Sequence, residues 1–493
     1  MPYKNSKITA KTFLSTGLVM MGLSVFAAAN ALTPPQVSVQ EIPFSFPQLP
    51  AEFNDVAQIT DCGIWHSKQL VERAAQKNDL FYCSFNDQSN KKSTLWLREL
   101  NDSGLFVVEK TELLRLLPAS LTNGQFADIA ADHQILMISA ETYVPYGIKD
   151  KGGKEWGMDW SATQRRASLE FVLQAAYVPM GEVIVDGSFA SIDDIIVLGS
   201  EGQLVRFNPS QDVPQWNLTL PYKADEQQMQ AMAQGDEGLE VVQQIQTQQP
   251  SLWVSAAGEI LVHKISWQVG RGRKTTGNMG TGVWCVSADG KLKGQHFFAD
   301  HFFDKSAMTA LPQGGYVIWE RIFRETSTVT LNGFSFNLIT LDQNCQVTKQ
   351  DKGSLPPAYL KNAQDGWIED MQIQLTPAGD LLLLYTEHQM NDEMTPPQLN
   401  AALISKDAKV KWVQPVVAQD NPYAWYLVKW GEGGNIQLKI DVSFAGQGQS
   451  ALISIFNPAP LRPESMNWLK PLQIRDRGFD NLLPKIYQLN WAK

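Results

Sequence analysis

Residues 367–416 read WIEDMQIQLTPAGDLLLLYTEHQMNDEMTPPQLNAALISKDAKVKWVQPV. The stretch divides at its turn residues. An incoming segment from Trp367 to Pro377 meets a turn at Ala378-Gly379, and a strand from Asp380 to His388 runs into a long excursion. A strand from Asn400 to Ser405 then reaches a turn at Lys406-Asp407-Ala408 and leaves through Lys409 to Val416. Short apolar runs separated by Gly, Pro, Asp and Lys are the pattern of antiparallel strands joined up and down.

The same plan recurs along the chain. A strand opens directly after a small or acidic turn at Asp79, Asp132, Asp194, Gly258, Gly315, Gly379 and Gly434, at intervals of about 60 residues. YVIWERIF follows Gly314-Gly315, ILVHKISW follows Gly258-Glu259, and NIQLKIDV follows Gly433-Gly434. LVRFNPSQDVPQW, WCVSADGKLKG, NLITLDQNCQVTK and ALISIFNPAPLRP each supply a third strand, its turn and a fourth. A single four-stranded sheet leaves one or both faces uncovered, whereas sheets stacked around an axis cover one another and expose only short edges. The expected fold is therefore all-β, a β-propeller of four-stranded antiparallel blades. Seven blades are expected, with six and eight as the alternatives. Residues 224–234 (ADEQQMQAMAQ) hold helix formers without Gly, Pro or β-branched residues and predict a short inserted helix.

The N-terminus carries Lys4, Lys7 and Lys11, then an apolar stretch from Phe13 to Ala28, then the small-residue run Ala27-Ala28-Ala29-Asn30-Ala31. That layout predicts a secretory signal peptide over residues 1–31, cleaved after Ala31. Its core is short and interrupted by Ser15, Thr16, Gly17 and Ser24, so no transmembrane anchor is expected in the mature chain. The expected organisation continues with an extended, Pro-rich N-terminal arm (32–59) that drapes over the body or pairs with a blade edge. The propeller (60–475) and a C-terminal tail packing on it (476–493) complete the chain. Loss of residues 1–31, with three lysines and no acidic residue, takes the formal net charge from -10 to -13. So acidic a surface disfavours nucleic acid, whose phosphates need clustered cations.

All four cysteines, Cys62, Cys83, Cys285 and Cys345, lie beyond the leader, and an even count in an oxidising compartment favours pairing. Of the three connectivities open to them, nearest neighbours are favoured: Cys62 with Cys83, then Cys285 with Cys345. The spacings match neither a zinc site nor a CxxC redox pair. The expected address is the periplasm of a Gram-negative bacterium, or secretion beyond it.

Trp216 in VPQWNLTL, Trp412 in KVKWVQPV and Trp468 in MNWLKPL stand late in their repeats. In this the chain resembles the bacterial quinoprotein-like (PQQ-type repeat) propellers, in which such a tryptophan packs against the next blade. The resemblance implies the same ring architecture, and it makes a quinone-dependent oxidoreductase one of the alternatives for function.

In an up-and-down blade, the turns between strands one and two and between strands three and four share one face of the disc. The turns at Ala378-Gly379, Gly314-Gly315, Ser287 to Lys291 and Asp342 to Cys345 are tight. The other face is expected to collect the excursions at 143–167, 268–281, 325–333, 389–399 and 443–449 and the crossover at 217–243. Long loops in a compact domain are uncommon and often functional. Two of them are basic: Arg271, Arg273 and Lys274 in one, and Lys149, Lys151, Lys154, Arg165 and Arg166 with Trp156 and Trp160 in the other. Arginine beside tryptophan suits carboxylates, sugars or an aromatic anchor of a protein partner, and these residues form the candidate binding face.

No catalytic set stands out. The six histidines show no HExxH spacing, and the sequence contains no GxSxG elbow, no GxxxxGK[ST] phosphate loop and no DxDxDG calcium loop. His296 and His301 lie near Asp300 and Asp304, but packing or surface roles are favoured over metal ligation. Carboxylates at Asp365, Glu369 and Asp370 and at Glu387, Asp392 and Glu393 leave a glycosidase-like pair open without singling one out. Glu320, Arg321, Arg324 and Glu325 read as a salt-bridged strand end. The expected function is an exported, non-catalytic propeller with no metal and no cofactor. It binds a protein or a cell-envelope component through its loop-rich face, as scaffold or accessory factor. The alternative is a quinone-dependent or carbohydrate-active enzyme on the same frame.

Overall fold

The structure, a computed structural model, describes residues 37–43, 58–65, 80–87, 92–99, 112–115, 124–129, 135–139, 157–165, 171–179, 184–191, 194–208, 214–222, 242–247, 250–255, 257–270, 279–299, 307–321, 333–389, 395–421, 424, 439–445, 449–456 and 484–492. The expected signal peptide and the helix at 224–234 lie outside them.

Nearly all described residues belong to antiparallel strands. After β1 (Val37–Ile42), one sheet holds β2 (Gln58–Trp65), β3 (Leu80–Asp87), β4 (Lys92–Glu99) and β5 (Glu112–Arg115) in that order. The next holds β6 (Gly124–Ile129), β7 (Ile135–Ser139), β8 (Gly157–Arg165) and β9 (Phe171–Pro179), and the third β10 (Ile184–Ser191), β11 (Asp194–Gly199), β12 (Gln203–Phe207) and β13 (Trp216–Thr219). In the fourth, β14 (Val242–Thr247) and β15 (Ser251–Val254) both pair with β16 (Ile260–Gly270), which is followed by β17 (Met279–Val286) and β18 (Leu292–Ala299). The fifth holds β19 (Met308–Ala310), β20 (Tyr316–Arg321), β21 (Phe334–Leu341) and β22 (Val347–Leu355). The sixth holds β23 (Gly366–Leu375), β24 (Leu381–Gln389), β25 (Gln398–Ile404) and β26 (Val410–Val417).

The remaining sheet runs β27 (Lys439–Ala445), β28 (Ser450–Phe456), β29 (Lys485–Trp491), β1. Val37 lies opposite Trp491 and Ile42 opposite Ile486, so the first described strand completes the last sheet. Residues 485–491, read from sequence as part of a tail, are an interior strand of that sheet.

The first strands touch in turn, β2 to β6 to β10 to β15 to β19 to β23 to β27 and back to β2, which closes the ring of a β-propeller. Packing between sheets explains why single strands are apolar on both sides. Leu381, Leu383 and Tyr385 of β24 point into a cluster with Val317, Trp319 and Phe336 of the fifth sheet. Leu382 and Leu384 point the other way, into a cluster with Ile440, Val442, Tyr487 and Trp491 of the closing sheet. Alternation along one strand thus supplies two cores, one on each side of the sheet.

Short polar clasps join neighbouring sheets. Asp186 of β10 accepts the backbone N–H of Leu252 in β15 at 2.9 Å, and Asp441 of β27 accepts that of Ile64 in β2 at 3.0 Å. The indole N–H of Trp216 donates to the carbonyl of Ala288 in the next sheet at 3.1 Å, and Arg206 donates to the same carbonyl at 2.9 Å. Trp412 meets Trp491 across the following interface, with ring centroids 5.6 Å apart. Trp468 lies outside the described residues.

Both disulfides join nearest neighbours. Cys62–Cys83 links facing residues of β2 and β3 within one sheet, whereas Cys285–Cys345 ties the fourth sheet to the fifth. In the chain-entropy picture, loops of these lengths contribute about 3 and about 4 kcal/mol respectively.

Candidate binding face

The two faces of the disc are built from different connections. On the turn face, six described five-residue turns share one design: Ser255–Glu259, Ser287–Lys291, Leu311–Gly315, Asp342–Gln346, Thr376–Asp380 and Ser405–Lys409. In each, the first residue donates its N–H to the fifth carbonyl and accepts the N–H of the fourth. The side-chain oxygens of Ser255, Ser287, Thr376, Ser405 and Asp342 also take the N–H of the fifth residue. The fourth residue sits at positive φ, which Gly258, Gly290, Gly314 and Gly379 adopt freely, while Cys345 (58°) and Ala408 (57°) are held there against their Cβ. Not every connection on this face is tight, because β2 and β3 are separated by residues 66–79 and β4 and β5 by residues 100–111.

The opposite face, here the crossover face, carries the second-to-third connections and the crossovers between sheets. Longer ones span 140–156, 271–278, 322–333, 390–397, 457–484, 220–241 and 418–438, whereas 88–91, 180–183 and 200–202 are short. Two expectations change. The excursion at 143–167 contains β8, so Trp160 and Arg165 stand on a third strand, opposite Ala176 and Phe171 of β9, rather than in a loop. The connection after β27 joins a first strand to a second, which moves 446–449 to the turn face. Lys149, Lys151, Lys154, Trp156, Arg166, Arg271, Arg273 and Lys274 lie outside the described residues.

Where the crossover face is described in detail, at the sixth sheet, polar groups gather on both sides of β23 and β24. Glu387 is fully buried and turns toward the fifth sheet. Its carboxylate accepts the backbone N–H groups of Ala358 at 2.8 Å, Leu360 at 3.2 Å and Tyr359 at 3.4 Å, and the side-chain amide of Asn400 at 3.3 Å. Burial raises the Glu387 carboxyl above its ordinary range, and the bonds from the 358–360 backbone oppose that shift. This side chain fixes the crossover between the fifth and sixth sheets.

The other side of the same strands carries Trp367, Glu369, Thr386 and His388. Trp367 lies opposite His388 and Glu369 opposite Thr386. The indole and imidazole stack nearly parallel, at 6° with centroids 4.9 Å apart. His388 Nε2 lies 3.0 Å from Thr386 Oγ1 and 3.7 Å from Glu369. Trp367 is 41% exposed, beside only Leu292 and Val347 among large apolar side chains of the described residues.

Glu369 and Glu387 pair with Thr386 and Ile368 respectively, so they occupy opposite faces of one sheet and do not flank a common bond. Asp365 is held by Asn362 at 3.3 Å. The side chains of Asp370, Asp392 and Glu393 lie outside the described residues, as do Arg324 and Glu325. Glu320 accepts from Asn337 at 2.8 Å. His296 packs on Phe298 with ring centroids 4.3 Å apart, while His301 is not described. No group of three or more metal-ligating side chains occurs among the described residues.

No protein family matches the chain, and none of the curated proteins does. Solved structures similar to it include the β-propeller domain of Myceliophteria thermophila Cps50 (Swd1), at 7% identity and a TM-score of 0.40, covering 87% of this chain and 99% of that one. The WD40 domain of Toxoplasma gondii coronin is similar at 7% identity and a TM-score of 0.37, covering 92% of this chain and 86% of that one.

Proposed function

We propose that this protein is an exported, periplasmic propeller that catalyses no reaction. It binds a protein or another envelope component through its crossover face, as a scaffold or accessory factor. The carrying observation is the contrast between the faces: one repeats a single five-residue turn at six of its junctions, while the other is assembled from connections whose lengths differ widely from sheet to sheet. Variable connections on a rigid frame are where binding specificity resides. Two buried disulfides support an oxidising compartment. The docking of Trp216 and Trp412 on the following sheet supports kinship with the quinoprotein-like propellers, with the frame used for binding.

The test is recovery of partners from native envelope by the full chain and by variants lacking 143–156, 271–278, or both. Partner recovery is expected to fall with each deletion and vanish with both. Undiminished recovery by the double deletion, with an unchanged melting temperature, overturns the assignment of this face.

A further inference from the structure

We propose that β1 is exchanged between two copies of this chain, each laying its Val37–Ile42 along β29 of the other to form a closed dimer. The inference does not depend on the binding role proposed above. Among the described sheets, only the closing one has an outermost strand that does not follow its neighbour in the chain: β5, β9, β13, β18, β22 and β26 each come directly after the third strand of their own sheet, whereas β1 comes from the other end. The clasps between sheets differ in the same way. Arg206 and Trp216 of the third sheet donate to Ala288 in the third-to-fourth turn of the next, Lys293 of the fourth donates to Gln343 in that of the fifth, and Lys349 of the fifth to Asp407 in that of the sixth. The closing sheet offers the sixth no such turn, because β29 and β1 are not consecutive.

What holds β1 is its ladder with β29, the packing of the partly buried Val37 and Val39, and the pairing of Glu41 with Lys485; none of its residues is fully buried. A second copy carries the same residues, so its β1 makes every one of these contacts, and exchange loses nothing at the sheet. The connection from β1 to β2 decides where the strand goes. Crossovers from a fourth strand to the next first strand begin and end on the crossover face, and residues 180–183 suffice for the one between β9 and β10. After β1 the equivalent run is 43–57, which can reach about 50 Å when extended, against about 14 Å for 180–183. Pro43, Pro47 and Pro50 stiffen it. A connection so much longer than the gap within one disc reaches a second disc without strain, and a stiff one turns back poorly on its own. Reciprocal exchange closes on itself and stops at two copies. It also holds two crossover faces within a linker's length of each other.

The experiment expresses two variants of the full chain together, one Ser38→Cys and the other Asn490→Cys. Ser38 faces Asn490 across the β1–β29 ladder, as Cys62 faces Cys83 in the first sheet, and the four native cysteines are already paired. A disulfide between the two variants therefore requires β1 of one copy on β29 of the other. A covalent heterodimer on non-reducing gels, lost on reduction, is expected, together with a dimer mass for the wild type by light scattering. Replacing Asn490→Cys by Leu292→Cys, at an exposed site on another sheet, should abolish the heterodimer. Pro43→Gly, Pro47→Gly and Pro50→Gly combined should lower the dimer fraction severalfold by letting the connection turn back. A monomeric wild type overturns the exchange, and so does a mixed sample without heterodimer when a chain carrying both cysteines cross-links within itself. A wild-type dimer that persists after deletion of 35–43 overturns it too, since that dimer rests on another surface.

Discussion

The sixth sheet and the closing sheet share a strand order and an interface, yet they are assembled in opposite ways. β23 to β26 come from one unbroken stretch, and a five-residue turn sets the pairing at two of their three junctions. The closing sheet takes β27, β28 and β29 from one end of the chain and β1 from the other, and no turn joins β29 to β1. Local sheets are specified by their turns. The closing sheet is specified by side-chain fit, with Val37 and Val39 packed against the core shared with the sixth sheet and Lys485 paired to Glu41 at 2.5 Å.

Removing Val37–Ile42 should therefore have the largest effect on stability. Losing two partly buried valines and the whole pairing edge of β29 is expected to cost about 5 kcal/mol in denaturant unfolding. A synthetic peptide spanning 35–43 should restore part of it in trans, and a deletion that costs nothing would show that β29 needs no partner.

In the sixth sheet, Glu387→Ala strands three backbone donors and should cost about 3 kcal/mol. Its pH dependence has a defined sign. The folded carboxyl binds its proton more tightly than the unfolded one, because burial raises its pKa. Its stabilising contribution is thus complete below the ordinary carboxylate range and is lost as pH rises through the raised value. Relative to Glu387→Gln, the wild type should lose stability across that window, and parallel profiles would refute the burial argument.

The smallest effects belong to the turns. Ala408→Gly relieves a left-handed Ala and should stabilise by up to about 1 kcal/mol. Gly379→Ala, at φ 84° with open space around its missing Cβ, should cost about 1 kcal/mol through the backbone alone. Opposite signs in thermal melts would confirm that the turn position demands a conformation rather than a particular side chain.

The same contrast explains what could be read in advance. Strand and turn boundaries of the sixth sheet follow from Ala378-Gly379 and Lys406-Asp407-Ala408, since those signals act within a few residues. The closing sheet was legible only in part. Gly431 to Gly434 suggests a first turn before NIQLKIDV, whereas β27 begins at Lys439 and is itself the first strand; β29 carries a strand's alternation in Tyr487, Leu489 and Trp491, but no local signal marks its pairing with residues so distant in sequence. β8 does carry a strand's alternation, with Met158, Trp160 and Ala162 between Gly157, Asp159 and Ser161, but the Lys- and Gly-rich residues 149–154 just before it read as a continuing loop. On the crossover face, Glu387 was one carboxylate among many because its partners are backbone amides, which sequence does not distinguish. Trp367 shares a strand face with Glu369, two residues on, but its exposure depends on neighbouring sheets.

The pairing of β1 with β29 also sets an order of events during synthesis. Among the described strands, the first to be made has to wait unpaired until residues 485–491 have been added, so the disc cannot be completed progressively as the chain emerges. Closure over so long a separation is slow, and meanwhile the edge of β29's sheet and the apolar side of β1 stay open to other chains. A helper that shields those edges would act late, on a nearly finished ring.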